Sequence, residues 1–283
     1  MTNLLESTLE KAAIEWLAAL GYRYRHGNEL PRELKKVVLE DELRQFITNS
    51  YSELPETAVN EALSVFLQQT GMDVHYRNRE FHLKLSKGIS ITWKDADGKE
   101  KAKHIYPINF EEPEKNSFVC SNQVVIVGKN KRIPDLIIYI NGLPLIVFEF
   151  KNMFDPEVGV DNAHRQLAHY MLDIPQLFDF NAFTVVSDGQ EALHGMYSAS
   201  LKWFAPWKST DGHALERNED LQLETMIKGL FPKATLLNYI KNYIFHEDHN
   251  GKLIKKGAKY HQFFGISAAV KSSLENIKPK GDG

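Results

Sequence analysis

Residues 132–152 read RIPDLIIYINGLPLIVFEFKN, and the fold is decided by how this stretch folds on itself. Two runs rich in Ile, Val, Leu and Tyr flank Asn141-Gly142, a dipeptide that tolerates the positive φ angles of a two-residue hairpin turn. A hairpin there brings the start of its first strand beside the end of its second. Asp135 then stands near Glu149, and Lys151 shares the face of Glu149 because strand side chains repeat every second residue. Most charges at strand ends are merely solvated. Glu149 differs, since it follows Leu145-Ile146-Val147-Phe148 and precedes Phe150. A charge inside such a run is costly to bury unless it is paired or bound to a cation. Two carboxylates and an amine at one sheet edge are what metal-dependent phosphodiester hydrolysis requires.

The chemistry can be assigned residue by residue. Mg²⁺ favours hard oxygen ligands, usually one or two carboxylates with water and phosphate completing the shell. Asp135 and Glu149 supply such oxygens, and the backbone carbonyl of Phe150 lies between Glu149 and Lys151. A bound ion polarises the phosphate and activates water. Lys151 orients that water or offsets developing charge. Two neighbouring carboxylates keep the lysine protonated, so an electrostatic role is preferred over a general base.

Working outward, residues 159–172 have the pattern of a helix on which Gln166 and Tyr170 lie four apart on one face. They are placed to hydrogen-bond a phosphate or to hold Lys151. On spacing alone the plainer alternative is favoured, with Tyr170 in the core and Gln166 facing solvent. His164 and His169 are five apart, off a common face, and are not read as metal ligands. An amphipathic helix over residues 4–20 stops at Gly21. Glu6, Glu10 and Glu15 on it are hard to tell apart. Glu10 is preferred as a further acid because it follows Leu9 at the border of the apolar stripe.

Residues 32–70 predict two more helices, and the segment after them predicts a hairpin turning at Lys94-Asp95-Ala96-Asp97-Gly98. From residue 117 three short strands, a helix and the buried strand NAFTVVSDG follow. This order is α/β, with a mixed central sheet covered by helices. The last fifth predicts a helix over KATLLNYIKNYIFHED, then a loop and another helix.

Net charge is -3, so no general basic field advertises nucleic acid, and any such binding rests on local patches. Lys129-Asn130-Lys131-Arg132 and the lysines between Lys252 and Lys259 are the candidates. The single cysteine, Cys120, lies in an apolar stretch and reads as a core residue, with no disulfide framework to build. With no signal peptide evident and no apolar run of membrane-spanning length, a soluble cytoplasmic protein is expected, with no membrane partner.

Pro134-Asp135 followed by Glu149-Phe150-Lys151 resembles the motif of the PD-(D/E)xK nuclease superfamily. With Gln166-x-x-x-Tyr170 it is similar to the subset shared by RecB-type nucleases and R (restriction) subunits of type I restriction–modification enzymes. FVCSNQVVIVG, FEFKN, IPQLFDFNAFTVVSDGQEALHG, WFAPWK and KYHQFFGISAAV resemble segments of the R subunits in the same order, over nearly the whole chain. The resemblance implies a restriction-endonuclease-like core with a helical and hairpin insertion over about residues 30–115 and a C-terminal helical extension. It implies a nuclease domain over 1–232, then a connector and the start of a motor over 233–283. Asp135 and Glu149 match the metal-binding acids, Lys151 the catalytic lysine, and Gln166 and Tyr170 an accessory cleavage motif. Glu10 best matches a helical acid. Gln262 resembles a glutamine that contacts adenine ahead of the motor's ATP-binding loop.

The chain departs from the family in having no G-x-x-x-x-G-K-[ST] loop. The expectation is therefore an N-terminal piece that neither hydrolyses ATP nor translocates. What the resemblance implies is an Mg²⁺-dependent (or Mn²⁺-dependent) endonuclease domain cutting double-stranded DNA. Its implied partners are DNA and the modification (M) and specificity (S) subunits, with ATP used only by the full-length protein. The alternatives are a docking module of little intrinsic activity and a free-standing repair nuclease.

Overall fold

In the computed structural model, which describes residues 2–152, 159–215 and 221–276, the chain forms a mixed sheet between helices. The N-terminal part comprises α1 (Thr2–Ala19), β1 (Arg23–Tyr24), α2 (Glu40–Ser50), α3 (Glu56–Leu67) and α4 (Val74–Lys87). Strands follow: β2 (Ile89–Lys94), β3 (Glu100–Ile105), β4 (Phe118–Asn122), β5 (Ile126–Val127), β6 (Lys131–Arg132), β7 (Leu136–Ile140) and β8 (Leu143–Phe150). Then come α5 (Val160–Asp173), α6 (Pro175–Phe178), β9 (Phe183–Ser187) and β10 (Ala192–Gly195). The remainder is α7 (Gln222–Leu230), α8 (Lys233–Asn242), β11 (Ile244–His249), β12 (Lys252–Gly257) and α9 (Tyr260–Asn276).

The central hairpin forms where the sequence places it. Asn141 and Gly142 adopt φ of 49° and 80°, and β7 pairs antiparallel with β8 in the register Leu136↔Phe148. Gly142 is required twice over. Its φ favours glycine, and a Cβ would lie 2.3 Å from the Leu39 carbonyl, just before α2. That approach is closed by a hydrogen bond from Leu39 N–H to Gly142 O of 2.9 Å. The hairpin is thereby tied to the insertion.

Around it the sheet runs β1-β4-β7-β8-β9-β10. β1 lies parallel to β4 and β9 parallel to β8, while the other pairs are antiparallel. Every residue of β4, β7, β8 and β9 is buried, which requires cover on both faces and explains their unbroken apolar runs. On β8 the Glu149 side chain reaches Tyr170 of α5, whereas Phe148 meets Phe231 just beyond α7, with ring centroids 5.3 Å apart. The expected layout is present: a mixed sheet flanked by helices, a largely helical insertion, and a C-terminal extension.

Several elements differ from the sequence expectation. α4 occupies a segment expected only as the approach to the β2–β3 hairpin, which itself turns at Asp95–Lys99 as expected. The predicted helix from Lys233 ends at Asn242, and a hairpin forms from β11, in residues expected to continue that helix, and β12, where a loop was expected. Its turn residues Asn250 and Gly251 have φ of 55° and 77°, the same chemistry as Asn141-Gly142. α7 was also not anticipated. One buried core extends from Ala13 to Phe263, with Tyr239 of α8 packed edge-on against Phe183 of β9 and Trp207. No helix among the described residues is long and apolar enough to cross a membrane.

Candidate active site

Strand register places the site at one end of the sheet. Leu136 opposite Phe148 sets Asp135 beside Glu149, and parallel pairing of Phe150 with Ser187 brings the turn after β9 to the same end. The Asp135 carboxylate is held by the backbone: Phe150 N–H donates to Oδ2 at 2.7 Å. Among the described residues its other oxygen has no hydrogen-bond partner. Burial first, and then the negative charge of Glu149, push the Asp135 carboxyl well above the ordinary carboxylate range.

Glu149 is 2% exposed. Taking a carboxylate out of water costs several kcal/mol, so its partners decide whether the site is tolerable. Lys151 Nζ donates to Glu149 Oε1 at 2.7 Å, and Tyr170 OH donates to Oε2 at 2.9 Å. Charge-assisted bonds contribute about 1.5–3 kcal/mol each, which offsets much of that cost. Lys151 Nζ also donates to Phe150 O at 2.8 Å. The amine therefore lies across two of the oxygens expected to serve a cation.

The other predicted residues fall into place unequally. Tyr170 is both a core residue, as spacing favoured, and a site residue through its hydroxyl. Gln166 is only partly exposed, and its Nε2 lies 3.3 Å from Tyr170 OH. Glu10 of α1 accepts a 2.6 Å hydrogen bond from Asn122 Nδ2, and its charge is felt by Asp135. Burial raises its carboxyl pKa, against the lowering effect of Asn122. Glu15 is exposed, and Glu6 lies outside the described side chains. Gln262 sits on α9, where its Oε1 accepts from Lys259 N–H at 2.8 Å and caps the helix start. Cys120 is buried, with its thiol pushed up to about 12 by burial, as suits a core residue.

Two contributors were missed. Asn122 joins Tyr24 OH, at 2.8 Å, to Glu10. It closes a buried strand, as Glu149 lies one residue from the end of another, which was a readable signal. Asp173, at the end of α5, binds Asn130 and Arg132 on the β5–β6 hairpin, and nothing in its own surroundings in sequence pointed there.

The donor set is all oxygen, which suits Mg²⁺ or Mn²⁺. Among the described residues, no three His, Cys, Asp or Glu side chains are grouped to hold a metal. Asp135, Glu149 and the Phe150 carbonyl could supply oxygens to a cation, and the charge of Glu10 reaches Asp135. Two well-formed clefts, of about 270 and about 430 Å³, contain none of these residues.

Residues 3–202 match the family model described as the type I restriction enzyme R protein N terminus. The chain is 34% identical, over 99% of its length, to the type I restriction enzyme HindI endonuclease subunit of Haemophilus influenzae. Chains named after the type I restriction enzymes MjaIXP and MjaVIIIP of Methanocaldococcus jannaschii are 28% and 25% identical over 95% and 97% of it. The chain spans only 28%, 28% and 25% of these relatives' own lengths. The order of strands, the hairpin with its acids and the match over most of the sequence agree: this chain belongs to the family of type I restriction enzyme R protein N termini.

Proposed function

We propose that the chain is a Mg²⁺-dependent endonuclease domain that hydrolyses phosphodiester bonds of double-stranded DNA, with Mn²⁺ able to replace Mg²⁺. The observation that carries this reading is the meeting of Asp135, Glu149, Lys151 and Tyr170 at one sheet end. Asp135, Glu149 and the Phe150 carbonyl would hold the cation. When bound, it lowers the pKa of water and neutralises phosphate charge. Lys151 stands close enough to orient the attacking water or to meet charge on the phosphate. Tyr170 keeps Glu149 from rotating, and Gln166 supports Tyr170. In a full-length R subunit, cutting would follow ATP-driven translocation, with M and S subunits supplying target recognition. Gln262 would face adenine only there.

One observation favours a second reading, a docking module with little activity of its own. Lys151 already holds Glu149 Oε1 and the Phe150 carbonyl, so a cation has to share those oxygens with the amine or displace it. Calorimetric titration with Mn²⁺ separates the two. The nuclease reading expects saturable binding that is lost in Asp135→Asn and in Glu149→Gln. Binding unchanged by both substitutions, or none in the unsubstituted chain, rejects it.

A further inference from the structure

Beside the site stands a small, rigidly held basic hairpin. β5 and β6 pair through Ile126↔Arg132 and Val127↔Lys131, and their tip is Gly128-Lys129-Asn130. Asp173 staples it from the end of α5. Its Oδ1 accepts from Asn130 Nδ2 at 2.6 Å, its Oδ2 from Arg132 Nε at 2.7 Å, and its backbone carbonyl from Lys129 N–H at 2.7 Å. A Cβ on Gly128 would lie 2.2 Å from that same carbonyl, so only glycine permits the approach. On the other side Val127 N–H donates to Leu34 O at 2.8 Å, and Gln176 Nε2 to Val127 O at 3.1 Å.

Two strands of two residues each are far too small to hold together unaided. This fastening therefore fixes the positions of charges in a segment that would otherwise fray. Arg132 is consumed by Asp173, but Lys129 and Lys131 are exposed. Exposed Lys35 is tied to the same hairpin, since Gln176 Nε2 reaches the carbonyls of both Lys35 and Val127, and neither Lys131 nor Lys35 takes part in an ion pair among the described residues.

Only Arg132, Ile133 and Pro134 separate Lys131 from Asp135, so their Cα atoms are at most about 14 Å apart. The Ile133 carbonyl lies 3.3 Å from Tyr170 OH, whose proton goes to Glu149. The opposite flank carries the other sign. Asp188 and Glu191 lie in the turn after β9, and Asp161 in the first turn of α5 is near enough to influence Glu191. α5 thus spans the site, its first turn beside acids and its last turn fastening the basic hairpin.

We propose that the β5–β6 hairpin is a preformed phosphate clamp, in which Lys129 and Lys131, with Lys35 beside them, grip the DNA backbone on one side of the scissile bond. The acidic turn keeps the duplex from extending equally over the other side. This rests on the nuclease reading for its partner. It adds to that reading the direction in which the duplex leaves the site.

Binding to a 30-base-pair duplex is measured without divalent ions across a range of salt. The chain is compared with Lys129→Gln/Lys131→Gln, with Lys99→Gln/Lys101→Gln on the β2–β3 hairpin, and with Asp188→Asn/Glu191→Gln. Each lost phosphate contact reduces the salt slope by about one. The clamp predicts a slope smaller by about two for the first pair and an unchanged slope for the second. The third variant should bind at least as tightly as the parent. An unchanged slope in Lys129→Gln/Lys131→Gln, an equal loss in the β2–β3 control, or no duplex binding by the parent chain overturns it. Both clamp lysines are exposed, so an unaltered melting temperature verifies folding. Mg²⁺-dependent nicking by the parent and Asp135→Asn tests the nuclease reading separately. Loss of the slope change with Asp135-dependent nicking intact removes only the clamp.

Discussion

Asp135 is held in place against the cost of its own charge. Its carboxyl is desolvated and repelled by Glu149, yet Phe150 N–H anchors it in place. An asparagine in its stead keeps an acceptor for that N–H and removes the charge. Asp135→Asn should therefore raise the metal-free melting temperature at pH 8 by about 2–4 °C, the shift expected for about 1 kcal/mol in a chain of this size. A melting temperature lowered by that amount would show that the carboxylate stabilises the fold. The trio was legible because a single turn dipeptide and strand alternation fix Asp135, Glu149 and Lys151 together. The tie from Asp173 to Asn130 and Arg132 was not legible, since it joins segments more than 40 residues apart through a turn and a helix end.

Among the elements, the hairpins show how one signal can be read once and overlooked once. Asn141-Gly142 lies between apolar runs, whereas Asn250-Gly251 lies between HEDH and KLIKK, whose charges hide the strands. α4 escaped for a related reason. Its buried positions Asn78, Phe81, His82 and Leu85 have helical spacing, but two are polar, so apolar periodicity does not register them. Those polar residues meet the second hairpin: Lys255, buried on β12, donates to Asn78 Oδ1 at 2.9 Å and Asn181 O at 2.7 Å, and His82 meets Ile244 O at 3.2 Å. The lysines between Lys252 and Lys259 are consequently no single basic face, for Lys256 is also paired with Glu247.

Two predictions belong to these elements. Gly142→Ala should cost about 2–4 kcal/mol, because it adds left-handed strain to a backbone clash that only a shift of α2 relieves. Urea unfolding measures this, and a loss below about 0.5 kcal/mol contradicts the tie between hairpin and insertion. His82 and His246 have pKa values lowered to about 3, mainly by burial and then by Lys255. The folded state thus binds fewer protons than the unfolded one below an unfolded pKa of about 6.5. Stability is full above that pH and falls as pH drops from about 6.5 towards about 3. For His82 the loss between pH 7 and pH 5 reaches up to about 2 kcal/mol, and less is expected of the more exposed His246. Urea unfolding at both pH values should show a smaller drop in His82→Gln than in the parent chain. An identical drop rejects this account of the docked hairpin.

For the whole molecule, the sheet order was only partly readable. β1 and β10 are short edge strands whose pairing is set by tertiary contacts, whereas β4, β7, β8 and β9 announce themselves as apolar runs. The core extends through α8, where Leu236, Leu237, Tyr239 and Ile240 are all 0–1% exposed. Fully buried side chains of this kind contribute about 1.5–3 kcal/mol each, so four rival the total stability of an ordinary domain, about 5–15 kcal/mol. A chain cut after residue 232 should show no cooperative unfolding transition, as monitored by circular dichroism. Unchanged cooperative melting of that fragment would mean that α8 and the second hairpin are accessories. The central claim is that Asp135, Glu149 and Lys151 form a metal-dependent nuclease centre. It is tested most directly by incubating supercoiled plasmid with the chain and Mg²⁺ or Mn²⁺, beside Asp135→Ala and Lys151→Ala. The account predicts metal-dependent nicking by the parent chain that falls at least about 100-fold in both variants, as removal of an electrostatic stabiliser does. Equal nicking by all three proteins contradicts it.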